Sequence, residues 1–153
     1  MQNKLVSSVL GLMGASFGLN GASMMLAPDF WFQHLPGVID TGPFNHHFVQ
    51  DVGAAYLSVA AAFFLARRYP RAGAQLLLVA FIFLGLHGMV HVMDTLAGRM
   101  SWHHFANDSV TVILPALLTL WFAGFLGKSS TLQTNGAVQK NGSMQINAQE
   151  VQS

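Results

Sequence analysis

The sequence predicts an all-α membrane protein in which four transmembrane helices form a bundle with both termini in the cytoplasm. The chain has 153 residues, of which 52% are hydrophobic and only 8% are charged, against roughly 25% charged in soluble domains. It contains four apolar stretches of about 20 residues, the length that spans a bilayer. It has no cysteine, which excludes disulfides, thiolate metal sites and cysteine nucleophiles.

The four predicted spans follow from the positions of the apolar stretches. They cover residues 5–27, 44–66, 72–96 and 105–127. After Gly127 the composition changes to Ser, Gln, Asn, Thr and Gly. Residues 1–127 are therefore predicted as the transmembrane domain, and residues 128–153 as a disordered polar cytoplasmic tail. The first span also has signal-peptide features, but its 23 uncharged residues favour a retained helix.

The positions of Lys and Arg predict the orientation of the spans. Six of the seven cationic residues lie at the same end of the bundle: Lys4, Arg67, Arg68, Arg71, Lys128 and Lys140. Only Arg99 lies at the other end. Because cationic loops stay in the cytoplasm, we expect a multi-pass protein of the bacterial inner membrane whose main partner is the lipid bilayer. A net charge of +1 argues against a nucleic-acid partner.

Histidine and aspartate recur at helical spacing near the outer ends of three spans. Residues four apart on a helix share a face. The resulting stripes are His47 and Asp51 on the second span, His87, His91 and Asp94 on the third, and His104 and Asp108 on the fourth. Ionised side chains are costly within a bilayer and usually face partners or a cavity. The three stripes are therefore predicted to converge in one pocket on the periplasmic side.

A metal ion would satisfy such a pocket, because imidazole with carboxylate is a donor set of Fe, Cu and Zn. The predicted ligands are His47, Asp51, His87, His91, Asp94, His104 and Asp108. His87 and His91 are the predicted cofactor-binding residues, and bis-histidine haem with His47 or His104 as second ligand is one version. Two alternatives stay open, a hydrogen-bond network of the same residues without metal and, for each histidine near the membrane surface, a simple interfacial role.

Such a site fits two functions. One is metal-dependent oxidoreductase or isomerase chemistry on a lipid-soluble substrate that arrives between the helices, with a His/Asp pair moving protons. The other is binding or delivery of a metal ion or haem. A third class remains, a non-catalytic accessory subunit that docks on a membrane protein partner or forms a homo-oligomer. The sequence assigns no catalytic residue.

Three further features bear on the structure. The apolar loop 28–43 is expected to lie on the membrane surface as a lid. Pro115 is expected to kink the fourth span beneath Asp108. Small residues at Gly14, Gly18 and Ala22 predict close approach of the first span to a neighbour. The layout resembles that of small four-helix bacterial inner-membrane proteins, DoxX-like ones among them, a resemblance of span number and length that assigns no site residue.

Overall fold

The computed structural model describes residues 4–150 and confirms the predicted all-α fold. The helices are α1 (Lys4–Leu26), α2 (Pro28–His34), α3 (His46–Arg68), α4 (Gly73–Leu96), α5 (Trp102–Asp108) and α6 (Leu114–Glu150). A 3-10 turn covers Val38–Thr41, and a π-helical segment, Ser109–Ile113, joins α5 to α6. Four helices are long and apolar enough to cross a membrane: α1, α3, α4 and the continuous helix Trp102–Ser129.

The first three spans begin and end within two residues of the predicted limits. The fourth begins at Trp102 instead of residue 105, and α6 continues to Glu150, where the sequence predicts an unstructured tail. No proline follows Pro115, and the Gln, Lys and Ala residues of this segment have good helix propensity. Helix can therefore propagate past the apolar stretch. The division of the chain at residue 127 stays a prediction.

The four spans pack as two helix pairs around a shared core. α1 packs mainly on α3, α4 packs mainly on α6, and α3 and α4 join the pairs. Short connections at residues 69–72 and 97–101 make consecutive spans antiparallel. Leu10, Phe63 and Leu77 are fully buried where the pairs meet.

Two glycines allow the backbones of α1 and α3 to touch. A Cβ at Gly21 would lie 2.7 Å from the carbonyl oxygen of Gly53, and a Cβ at Gly53 would lie 2.8 Å from the Cβ of Met24. A Cβ at Gly14 would lie 3.2 Å from the Cβ of Phe63, and a Cβ at Gly18 would lie 3.5 Å from the Cβ of Ala60. The predicted small-residue ridge thus packs on α3 through Gly14 and Gly18. The tightest contact lies at Gly21, one turn after Gly18.

The segment between α1 and α3 folds back over the outer end of the bundle. Pro28 starts α2, as suits a residue without an N–H. The Trp31 indole donates to Asn20 Oδ1 at 2.9 Å, which fixes α2 to α1. Gln50 of α3 donates to the carbonyl of Met25 at 3.0 Å. The Trp31 bond thus holds the predicted lid against α1, and the Gln50 bond ties together the two helices that the lid connects.

Pro115 lies two residues after the end of the π-helical segment of the fourth span. A proline lacks an N–H and its ring collides with the carbonyl four residues earlier, here that of Thr111. The backbone widens instead, and Leu114 N–H bonds to the carbonyl of Ser109, five residues back. The extra residue in this turn rotates α5 relative to α6 and so determines where Asp108 points.

Candidate functional site

Four of the predicted residues meet between α4 and α5, and we call them the His–Asp network: His87, His91, His104 and Asp108. His91 Nδ1 lies 2.7 Å from Asp108 Oδ2. His104 Nε2 lies 3.7 Å from the same oxygen. The side chains of His91, His104 and Asp108 are only 12% to 17% exposed, so the carboxylate has little water around it.

Local sequence positions both partners of this carboxylate. Ser101 begins α5 by accepting a hydrogen bond from the backbone N–H of His104 at 3.1 Å, which is a standard N-cap. His104 and Asp108 are then one turn apart on the same face. On α4, the buried Thr95 hydroxyl donates to the carbonyl of His91 at 2.9 Å. This bond ties Thr95 to the turn of α4 that carries His91.

When Asp108 is ionised, the short contact determines which nitrogen of His91 carries the proton. An ionised carboxylate can only accept hydrogen bonds, so His91 donates from Nδ1. Its other nitrogen, Nε2, then carries the lone pair. A carboxylate held on one imidazole nitrogen fixes the tautomer and stabilises the imidazolium that forms when the other nitrogen takes a proton. The pair has the geometry of an acid–base dyad.

His87 extends the network toward the middle of α4. Its ring lies edge-on to His91, with centroids 4.9 Å apart, and stacks on Phe83 at 5.7 Å. It makes no hydrogen bond with any residue that the structure describes. His87 is thus held by aromatic packing, and its polar atoms have no protein partner in residues 4–150.

The second span does not join the network. His47 and Asp51 form their own pair at 3.5 Å, with side chains 87% and 65% exposed. The buried residues of α3 include Gly53, Ala60 and Phe63, which lie about 160° to 240° around the helix from His47 at 100° per residue. Packing of that face on α1 turns the stripe outward, so the structure differs here from the predicted convergence.

Asp94 also has a different partner from the one expected. Arg99 donates to Asp94 Oδ1 from Nη2 at 2.6 Å and from Nε at 2.8 Å. Gly98, with φ of +71°, reverses the chain after α4 as a left-handed cap and returns Arg99 to the helix end. Asp94 therefore closes the α4–α5 turn, and it does not contact the network.

A cleft of about 300 Å³ leads from this turn to His104. Its walls are Thr41, Asp94, Arg99, Met100, Ser101 and His104. Gly37 covers the other side of the imidazole, at a φ of +82° and so close that a Cβ there would overlap the ring. The lid thus contacts the network directly, and the cleft opens at the same end of the bundle.

Tyr56 lies beside the network, and the sequence analysis does not identify it. The Tyr56 ring of α3 lies edge-on to His87, with centroids 5.9 Å apart. It sits about 180° around the helix from His47, on the face that carries no polar pattern. A single tyrosine in an apolar span gives no periodic signal, and only the packing of α3 on α4 reveals it.

The predicted metal site is not assembled as one unit. Within residues 4–150, no group of three or more His, Asp or Glu side chains is arranged to hold a metal ion. His46 and His103, which lie off the stripes, are exposed. Binding of Fe, Cu, Zn or haem by some of the predicted residues stays a prediction.

Comparisons with known proteins assign no family. No protein-family model matches the chain, and neither a curated protein nor a solved structure matches it significantly. The function therefore has to be argued from the site.

Proposed function

We propose that this multi-pass membrane protein carries out acid–base chemistry on a lipid-soluble substrate, with the His91–Asp108 dyad as its centre. The reaction class is isomerisation: proton removal from a carbon next to a carbonyl and return of the proton to another carbon. The observation that carries the proposal is the 2.7 Å contact between His91 Nδ1 and Asp108 Oδ2 in a nearly buried setting. Such a reaction needs no oxidant or reductant.

Each residue has a defined role in this proposal. His91 takes the proton at Nε2, and Asp108 stabilises the resulting imidazolium through Nδ1. His104, 3.7 Å from the carboxylate, exchanges protons with water through the outer cleft. We place this end of the bundle on the periplasmic side of the bacterial inner membrane, because the cationic loops lie at the other end.

The test uses the full-length protein in lipid nanodiscs in D2O, with β-ionone as a lipid-soluble enone. Deuterium incorporation is followed by mass spectrometry. We expect the protein to accelerate exchange and Asp108→Asn to lower the rate about 100-fold, because the base His91 then loses the carboxylate that orients its ring and stabilises its imidazolium. Asp51→Asn is the matched control, because it alters an exposed His–Asp pair with the same i, i+4 spacing as His104 and Asp108. Equal rates in both variants, or no acceleration over empty nanodiscs, would overturn the proposal.

Metal binding is the second candidate. It is supported by the donor set, since two imidazoles and one carboxylate meet at Asp108, as in several iron and zinc sites. The described geometry does not complete a three-ligand group, so we assign no step to a metal. Stoichiometric Fe, Cu or Zn in the purified protein, lost in His91→Gln, would favour this candidate over the metal-free dyad. A Soret band would identify haem.

A further inference from the structure

The interior of the bundle contains two polar side chains with no protein partner. The Tyr56 hydroxyl and the His87 imidazole form no hydrogen bond with any residue in the described part of the chain. Both are partly exposed. A polar side chain inside a bilayer usually faces a partner or a water-filled cavity, so this pair requires an explanation.

Depth in the membrane limits what can satisfy them. Tyr56 is the eleventh residue of α3, and His87 is nine residues before the end of α4. At about 1.5 Å per residue, both lie about 15 Å below the outer helix ends. That is near the centre of a hydrocarbon core of about 30 Å. Bulk water does not reach this depth on the lipid side.

The surroundings of the pair are aromatic and come from three helices. Tyr56 stacks on Phe17 of α1 at 6.0 Å and meets Phe83 of α4 edge-on at 5.3 Å. His87 stacks on Phe83 at an interplanar angle of 11°. The adjacent residues Leu57 and Leu86 are exposed at the side of the bundle. The two polar groups thus lie among aromatic rings, next to a side of the bundle that faces the acyl chains of the lipid.

We propose that Tyr56 and His87 bind the carbonyl group of a flat, lipid-soluble ring compound that enters from the bilayer between α3 and α4. This rests on the proposed function and names its substrate class. The Tyr56 hydroxyl donates to the carbonyl oxygen, the exposed side chains of Leu57 and Leu86 pack on the ligand ring at the side of the bundle, and the reacting carbon lies toward His91. An unsatisfied hydroxyl in an apolar setting is costly, so the ligand gains selectivity from satisfying it.

The test compares two ligands and two tyrosines. The full-length protein in nanodiscs is titrated with 2-methyl-1,4-naphthoquinone and with 2-methylnaphthalene, which lacks the carbonyls. We expect saturable quinone binding at least 10-fold tighter than hydrocarbon binding. Tyr56→Phe, which keeps every ring contact, should reduce quinone affinity about 10-fold, as expected for one lost hydrogen bond. Tyr69→Phe is the control at the opposite end of α3 and should leave the affinity unchanged.

A spectroscopic measurement makes the result independent of folding effects. The chain has two tyrosines, so in protein labelled with ¹³C at tyrosine Cζ the quinone should shift one resonance, that of Tyr56. Equal quinone affinity in wild type and Tyr56→Phe, or no saturable binding, would overturn the inference. Asp108→Asn should bind the quinone normally while losing the exchange activity, which separates failure of this binding site from failure of the dyad.

Discussion

Asp108 shows how one side chain can organise two others. Both His91 and His104 approach its Oδ2, while its backbone stands at the junction of α5 and the π-helical segment. Sequence spacing predicts the His104–Asp108 pair, because the two residues are one turn apart on the same helix. The predicted convergence of the stripes also brings His91 toward them, but the contact itself depends on the packing of α4 on the fourth span, which the spacing does not determine.

Gly37 provides a prediction about the contact between the lid and His104. Gly37→Ala should lower the free energy of unfolding by about 1 kcal/mol more than Gly98→Ala does. Both glycines have positive φ and share the backbone cost of about 1 kcal/mol, but only a Cβ at Gly37 meets a neighbour. Equilibrium unfolding in detergent measures the difference, and equal losses in the two variants would show that the imidazole moves away freely.

At the scale of single elements, the fourth span combines a cap, a π turn and a proline. Thr119, which is completely buried, donates to the carbonyl of Pro115 at 2.7 Å. The π-type bond of Leu114 adapts the backbone to the missing N–H of Pro115, and the Thr119 bond adds a second donor to the proline carbonyl. The sequence predicts a disturbance at Pro115, since proline is recognisable in any helix. Whether the helix bends or widens depends on local hydrogen bonding that the residue pattern does not contain.

Replacement of this proline tests how the π turn positions Asp108. Pro115→Ala restores an N–H that can bond to the carbonyl of Thr111, so the wide turn should lose its advantage and the His91–Asp108 contact should weaken. The ¹⁵N chemical shift of His91 Nδ1 reports that contact directly. Leu117→Ala, two residues further on and exposed, serves as the control and should leave the shift unchanged. An unaltered shift in Pro115→Ala would mean that tertiary packing alone holds the π turn.

The α1–α3 contact makes a prediction about helix packing. Gly53→Val should destabilise the protein by about 1–3 kcal/mol or prevent folding, because a side chain there would meet Met24 and the Gly21 carbonyl. Gly124→Val is the control, since nothing lies within 4 Å of its Cβ position. Thermal unfolding in the same detergent compares them. If both variants unfold at similar temperatures, the two backbones do not need this close approach.

At the scale of the whole molecule, hydropathy predicts the spans well and helix rotation poorly. Length and charge determine where apolar segments begin and end, so the first three spans agree within two residues. Rotation about each axis is decided by shape, and the glycine contact turns Phe63 inward and His47 outward. Asp94 is likewise taken by Arg99, through a turn whose geometry no periodicity encodes. The predicted ligands thus separate into one network and two independent pairs.

The predicted orientation of the molecule can be tested with single cysteines, because the chain has none of its own. We expect Gln33→Cys on α2 to react with a membrane-impermeant maleimide in intact cells. Ala72→Cys, between α3 and α4, should react only after lysis. Both positions are exposed, so reactivity reports sidedness. The reverse labelling pattern would place the His–Asp network on the cytoplasmic side.

The π-helical segment makes the network sensitive to chain length. A wide turn holds one residue more than a regular turn. Inserting one more residue into Ser109–Ile113 would therefore swing Asp108 about 100° around the axis and separate it from His91, whereas removing one residue would let the turn close to a regular α-helix with Asp108 near its present direction. Homologous chains that keep both residues are thus expected to differ in length here by no more than the one residue that the wide turn holds.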